Sequence, residues 1–255
     1  MADKTHDAVV TAQFGPRAAA YVTSEVHAKG EDLVELAQLA ARQPGARVLD
    51  LGCGGGHVGF AVAAQAREVV AFDLSDEMLA AVEHEAAARG IGNIRTAQGS
   101  VTSLPFADGS FDVVLCRYSA HHWPDLAAGL AEARRVVRPG GIAAFADTVS
   151  PAAALLDTHL QAVELLRDPS HVRDYAIEQW RQALIAAGFA PGQPTLRRLR
   201  LEFGSWIARM QTAEAHRCAI RSLQDGAPAV VRRHFAIEPD GSFTVDKMLL
   251  TAEPA

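Results

Sequence analysis

Residues 47–59 read Arg-Val-Leu-Asp-Leu-Gly-Cys-Gly-Gly-Gly-His-Val-Gly, an apolar strand that runs straight into glycines and out into a helix. Val48, Leu49 and Leu51 have the continuous apolar character of a strand buried on both faces. Gly52, Gly54, Gly55 and Gly56 follow, and a helical pattern begins near His57 or Val58. Glycine lets the backbone turn sharply and come close to a bound molecule. The start of the helix offers free N–H groups and a partial positive charge to whatever sits there. A strand–glycine–helix unit of this kind predicts a small-ligand site at the carboxyl end of a parallel sheet.

The rest of the chain repeats the alternation. Glu68 to Leu74 is a second apolar strand ending in Asp73, and Ser75 is placed to cap a helix that turns Met78, Leu79 and Val82 inward. Asn93 to Gln98, Phe111 to Cys116 and Ile142 to Asp147 read as further strands. Leu126 to Val137 reads as a helix, and Pro139-Gly140-Gly141 as a turn. The fold class predicted is α/β, a doubly wound, mostly parallel seven-stranded sheet of Rossmann-like form. Its last two strands, Thr195 to Phe203 and Phe243 to Thr251, form an antiparallel pair. Added helices are expected within 9–43, at Ala152 to Leu166, at Val172 to Ala187 and over 205–234. With 49% hydrophobic and 21% charged residues in 255, the chain can bury a large core. We divide it into an N-terminal helical cap (1–43), a ligand-binding core (44–150) and a C-terminal part (151–255) that completes the sheet and forms a second pocket wall.

Three polar positions fall at strand ends. Asp50 ends the first strand, Asp73 ends the second with spacing suited to ribose hydroxyls, and Ser100 follows the third, where an adenine edge would lie. Gly54-x-Gly56-x-x-Gly59 matches the dinucleotide fingerprint as a string. The turn, however, already begins at Gly52, and a pyrophosphate sits badly beside Asp50. A cationic ligand with an amino group suits Asp50 better, and S-adenosylmethionine has an adenosine, a sulfonium and a free amino acid.

Four ordered segments carry a family resemblance. Val48-Leu-Asp-Leu-Gly-Cys-Gly-Gly-Gly-His57 and Val70-Ala-Phe-Asp-Leu-Ser-Asp-Glu-Met-Leu79 resemble the first two motifs of class I S-adenosylmethionine-dependent methyltransferases. Ser103-Leu-Pro-Phe-Ala-Asp-Gly-Ser-Phe-Asp-Val-Val114 and Arg134-Arg-Val-Val-Arg-Pro-Gly-Gly141 resemble the ubiquinone/menaquinone-biosynthesis methyltransferase-like branch. The resemblance implies methyl transfer from S-adenosyl-L-methionine to a small-molecule acceptor at an oxygen, carbon or nitrogen nucleophile. It places Gly52, Cys53 and Gly54 against the methionine portion, Asp50 on the amino group and Asp73 on the ribose. Leu74 and Met78 would lie against the adenine, with Ser100 and Val101 at its edge and Arg117 on the methionine side. A serine stands at position 100 where the family commonly has an aspartate, so that hydrogen bond lacks charge assistance. His121 and His122, just past the fourth strand, are the candidate general bases; packing within the loop is the competing role. Phe14 and Tyr21 are read either as a lid over the cofactor or as core aromatics.

Two further readings stay open: an NAD(P)-dependent reductase on a similar sheet, and a catalytically silent S-adenosylmethionine-binding protein. A net charge of -6 argues against a nucleic-acid groove, and the short basic run 197–200 does not change that. Three scattered cysteines and a histidine pair without neighbouring acids predict no metal site. The polar N-terminus and the lack of a long apolar run predict a cytoplasmic protein without a membrane partner. Phe14, Tyr21, Trp123, Tyr175, Trp180 and Trp206 are candidate acceptor-pocket residues, Trp180 with core as its alternative. These aromatics point to a neutral or apolar acceptor.

Overall fold

The structure, a computed structural model, describes residues 5–22 and 30–255. Its centre is the parallel run predicted from the strand pattern. Strands β1 (Arg47–Leu51), β2 (Glu68–Asp73), β3 (Ile94–Gln98), β4 (Phe111–Arg117) and β5 (Val137–Val149) lie side by side in the order β3-β2-β1-β4-β5. The reversal of winding direction falls between β1 and β4, which are paired in parallel through Leu49 and Val114. Crossover helices cover both faces because alternate strand residues are apolar on both. Leu49, Leu51, Val70, Phe72, Val114 and Phe145 face one core, and Val48, Val69, Ala71, Val113 and Leu115 face the other.

Beyond β5 the sheet adds three strands in two positions, which makes eight strands in seven positions in all. β8 (Phe243–Pro254) runs antiparallel to β5, pairing Phe145 with Leu250. Its outer edge is shared by two shorter strands, β6 (Phe189–Pro191) and β7 (Thr195–Leu201), both antiparallel to it. The predicted seven-strand sheet is therefore present with its outermost strand broken. Pro191 and Pro194 flank the break, and neither has an N–H for a ladder hydrogen bond. Between them Gly192 still donates to the Thr251 carbonyl at 2.8 Å.

The N-terminal helices are α1 (His6–Phe14), a short 3-10 turn (Gly15–Arg17), α2 (Ala18–Val22) and α3 (Glu31–Ala41). The helical stretch expected within 9–43 also takes in residues 23–29, which lie outside the described residues. Helix α4 (His57–Val62) leaves the glycine turn, α5 (Asp76–Ala88) is capped by the Ser75 hydroxyl on the Met78 N–H at 3.2 Å, and α6 (Leu126–Val136) precedes β5. In the C-terminal part α7 (Ala154–Arg167) matches expectation within two residues.

Helix α8 (Ile177–Ala186) starts at Ile177 rather than Val172. The amides of Val172 and Arg173 donate instead to the His121 carbonyl at 2.8 and 3.1 Å, so tertiary hydrogen bonds hold 168–176 out of the helix. The helical stretch 205–234 is three pieces: α9 (Phe203–Met210), α10 (Glu214–Asp225) and α11 (Ala229–His234). α9 claims Phe203 from the expected strand because the Glu202 carboxylate caps the amides of Gly204 and Ser205. These helices bury Trp206, Ile220, Val231 and Phe235 against Phe243 and Val245 in a separate small core.

Candidate active site

A cleft of about 290 Å³ opens at the carboxyl ends of β1, β2, β4 and β5. The glycine turn forms its floor. Gly52, Gly54 and Gly56 take φ values of 71°, 49° and 74°, the left-handed region that side chains resist. Both amides of the first turn, Gly52 and Cys53, donate to the Phe72 carbonyl at 2.9 Å, which ties the loop to β2. A Cβ on Gly54 would meet nothing within 4 Å, so its backbone is open to the cleft.

Asp50 lies 1% exposed, its Oδ2 accepting from the Gly59 N–H in the first turn of α4 at 2.9 Å. Burial pushes its carboxyl up to about 7; the Gly59 N–H opposes this and the nearby Asp73 adds to it. Asp73 accepts from the Gly54 N–H at 2.8 Å and the Ser75 N–H at 3.1 Å, and burial raises it as well. Leu74, Met78, Ser100 and Val101 continue the wall beyond Asp73. The Ser100 hydroxyl is within 3.1 Å of Thr102 Oγ1. Cys53 borders the same wall with its thiol raised by burial and by Asp73 and Asp50.

Arg117, expected beside the cofactor's methionine end, borders the cleft, but its guanidinium is committed to Asp32 on α3 at 2.6 Å. Lys247 on β8 reaches the other Asp32 oxygen at 3.1 Å and the Tyr118 hydroxyl at 3.2 Å. Burial works against the Asp32 charge, yet Arg117 and Lys247 hold it down to about 2. Tyr118 turns the chain at φ 54° and leads into the histidines.

The two histidines occupy a 3-10 turn, Ala120–His122, and the structure gives them opposite surroundings. His121 Nδ1 lies 2.6 Å from Asp147 Oδ1, and its backbone N–H reaches the other oxygen at 3.3 Å. Burial opposes a charge on His121, but Asp147 outweighs it and pushes the imidazole up to about 9. His122 Nδ1 donates to the Ser170 carbonyl at 3.1 Å, which leaves Nε2 with the lone pair. Burial and the adjacent His121 hold His122 down to about 4. Phe14 packs edge-on against His122 at 5.0 Å and against Tyr21 at 5.5 Å, and the Tyr21 hydroxyl reaches Met210 Sδ at 3.2 Å. Phe14 and Tyr21 thus border the cleft from above instead of joining a core.

The far wall differs from expectation. Tyr175 and Trp180 pack with Phe145 on the main core and do not border the cleft, while Trp123 and Trp206 do. The wall also carries Glu164, Arg167, Asp168, Asp174 and Arg209, so it is charged where a neutral or apolar acceptor was expected. Asp147 could have been found by the logic that found Asp50 and Asp73, since it stands near the end of β5. Asp174 carries no such local signal. With it, the structure groups His121, Asp147 and Asp174 so that one ligand atom from each lies within 4.8 Å of the others, a combination the adjacent histidines alone did not announce.

Residues 49–145 match the family described as methyltransferase domain. The uncharacterized protein YafE of Escherichia coli (strain K12) is 46% identical over 196 residues, 77% of this chain and 95% of that one. The uncharacterized methyltransferase YcgJ of Bacillus subtilis (strain 168) is 36% identical over 77% of this chain and 78% of its own length. The chain belongs to the class I S-adenosylmethionine-dependent methyltransferases. The crystal structure of YcgJ superposes on this methyltransferase with a TM-score of 0.84 over 88% of this chain and 98% of that one, at 30% identity. A demethylmenaquinone methyltransferase of Geobacillus kaustophilus is 37% identical over 112 residues, 43% of this chain and 48% of that one, in keeping with the branch its motifs resemble. The methyl donor of this enzyme is therefore S-adenosylmethionine, and the reductase reading falls. The cleft lining is compatible with that molecule: the Gly54 backbone is open, the carboxylates of Asp50 and Asp73 stand beside it, and Leu74, Met78 and Val101 add apolar surface. Among the described residues no helix is long and apolar enough to cross a membrane.

Proposed function

We propose that the enzyme methylates a small, polar acceptor at an oxygen or carbon that gives up a proton, with His122 as the group that receives it. The observation that carries this reading is the hydrogen bond from His122 Nδ1 to the Ser170 carbonyl. A carbonyl can only accept, so Nδ1 bears the proton and Nε2, on a side chain of the cleft wall, keeps the lone pair that can take one. His6 Nε2 donates to the His122 backbone carbonyl at 2.9 Å, which fixes the turn, and Phe14 packs edge-on against the imidazole.

S-adenosylmethionine, when bound, supplies a methyl group already activated on a cationic sulfur. The chain then has to position, orient and exclude water. In this reading Asp73 accepts from the ribose hydroxyls, and Leu74, Met78, Ser100 and Val101 hold the base. Asp50 takes the amino group, while Gly52, Cys53, Gly54 and the backbone near Arg117 line the methionine portion. Phe14 and Tyr21 close the cleft from the N-terminal cap (1–43) over the core (44–150). The C-terminal part (151–255) supplies the acceptor wall, and its charges support a polar acceptor. Bringing acceptor and methyl group within about 3–3.5 Å accounts for much of the rate in such a transfer.

The test is transfer of labelled methyl to a panel of phenols, carboxylic acids, carbon acids and amines. Transfer to phenols or carbon acids, lowered about 10²–10⁴-fold in His122→Ala with S-adenosylhomocysteine affinity kept, is the expected result; carboxylic acids, already ionised, should not feel the substitution through a lost base. Cofactor binding with no transfer across the panel would favour the silent binding protein. Transfer unaffected by His122→Ala would remove the base.

A further inference from the structure

The acceptor end of the cleft contains a side chain whose surroundings leave it incomplete. Asp174 is 2% exposed, and its Oδ2 is buried without a hydrogen-bond partner among the described residues. Leaving a buried carboxylate oxygen unmatched costs free energy that folding does not recover elsewhere. The position is nevertheless built with care. Gln161 on α7 receives the Asp174 N–H at 3.1 Å and donates to its carbonyl at 2.8 Å, and the same Gln161 is anchored by Asp157 at 2.9 Å. The backbone is thus clamped and the carboxylate is held toward the cleft it lines.

Opposite Asp174 stand His121 and Asp147. Asp147 is 2% exposed, at the end of β5, and is fixed by the Thr148 N–H at 2.9 Å. His121 is fixed through its carbonyl, which receives the amides of Val172 and Arg173 from the segment that leads to Asp174. These bonds join the histidine turn, β5 and the 168–176 segment at one point. The neighbouring arginines are occupied elsewhere: Arg173 pairs with Asp157 at 2.6 Å, and Arg167 donates to the Trp206 carbonyl at 3.1 Å. Asp174 makes no ion pair among the described residues.

We infer that His121, Asp147 and Asp174 form a binding site for a divalent first-row metal ion on the acceptor side of the cleft. One nitrogen and two carboxylate oxygens, all within 4.8 Å of one another, make the set. Metal–ligand distances of about 2.1 Å put neighbouring ligand atoms roughly 3–4 Å apart, so side-chain shifts on the order of 1 Å close the set on an ion. One imidazole with two carboxylates suits Mn²⁺ or Zn²⁺, and three protein ligands leave positions open. His121 and Asp174 line the cleft together with His122, so an ion held there would stand where an acceptor oxygen could reach it. The ion would satisfy the orphaned oxygen of Asp174 and take the place of the proton between His121 and Asp147. This assignment does not depend on His122 being the base, because it is read by metal binding without turnover.

The experiment titrates the full chain with Mn²⁺, Zn²⁺ and Mg²⁺ separately by calorimetry, with paramagnetic resonance for Mn²⁺. One saturable site per chain for Mn²⁺ or Zn²⁺ is expected, weakened at least about tenfold by Asp174→Asn. Asp174→Glu should keep part of the affinity. S-adenosylhomocysteine binding should be unchanged in both variants, which shows the fold intact and separates this outcome from a failure of the cofactor site. Should Asp174→Asn not fold, His121→Gln reads the same loss. No saturable binding of any of the three ions below about 1 mM, or equal binding by folded variants, would overturn the site.

Discussion

Gly52 and Ser119 sit so close that a Cβ on the glycine would fall 2.7 Å from the serine Cβ and nearer still to its hydroxyl oxygen. The serine cannot readily turn away, because its Oγ receives the Trp123 indole N–H at 3.1 Å. The first turn of the glycine loop and the turn that carries the histidines are thus packed directly on one another. Gly52→Ala combines a left-handed backbone cost of about 1–2 kcal/mol with overpacking of about 1–3 kcal/mol. The melting temperature should drop by at least about 5 °C. A scan by calorimetry decides it, and Gly54→Ala, with no neighbour to strike, should lose less through packing.

Asp73 is expected to dominate cofactor affinity. Charge-assisted hydrogen bonds to two ribose hydroxyls contribute about 1.5–3 kcal/mol each, so Asp73→Ala should weaken S-adenosylhomocysteine binding on the order of 10²-fold or more. Calorimetric titration is the measurement, and binding within threefold of the parent enzyme would cancel the ribose assignment. Asp73→Asn keeps an acceptor for the Gly54 N–H and serves as the control for loop collapse.

Asp50 makes both stability and binding depend on pH. Its folded pKa of about 7 lies above the ordinary aspartate value of 3.8. Between these limits the folded state holds more protons than the unfolded one, so stability is full below about 4 and declines as pH rises through about 7. Cofactor-free Asp50→Asn should therefore be more stable than the parent at pH 8, with the advantage vanishing toward pH 4. An ammonium prefers the ionised carboxylate, so cofactor affinity should run the other way and fall about tenfold from pH 8 to pH 6. A flat affinity profile in that range would detach Asp50 from the amino group.

The Asp32, Arg117 and Lys247 cluster should be the costliest charge group to disrupt. Removing one member of a buried pair leaves the other unmatched, so Asp32→Ala should lose about 3–5 kcal/mol in urea unfolding. The Asp32 carboxyl is depressed to about 2, so its contribution is present in full above 3.8 and disappears only as pH falls through about 2. Between pH 5 and 8 the penalty of the variant should not change on this account.

The half of the cleft proposed for the cofactor was legible because a parallel sheet sends every strand end to one edge. Asp50, Asp73 and Ser100 needed only their strand positions to be placed there. The acceptor half is assembled by contacts between segments far apart in sequence. Val172 and Arg173 have helical neighbours in pattern, yet their amides are taken by His121, more than fifty residues back. Trp180 reads equally well as pocket or core until Phe145 is seen against it. Asp174 has neither strand end nor motif to mark it, and its importance appears only when β5 and the histidine turn are brought beside it.

The interrupted outer strand of the sheet also bears on how the protein behaves in a crowded solution. An open strand edge is a template on which another chain can grow a ladder. Here the edge is cut after three residues by Pro191 and Pro194, and β7 beyond the cut carries Arg197, Arg198 and Arg200. Each of these is pinned along the edge by an acidic partner, Glu31, Asp246 and Glu238 respectively. A passing strand would find no continuous row of amides and would have to displace ion pairs to reach the few it found. The basic run 197–200, too short to make a nucleic-acid groove, thus makes this edge costly for a neighbouring copy to extend.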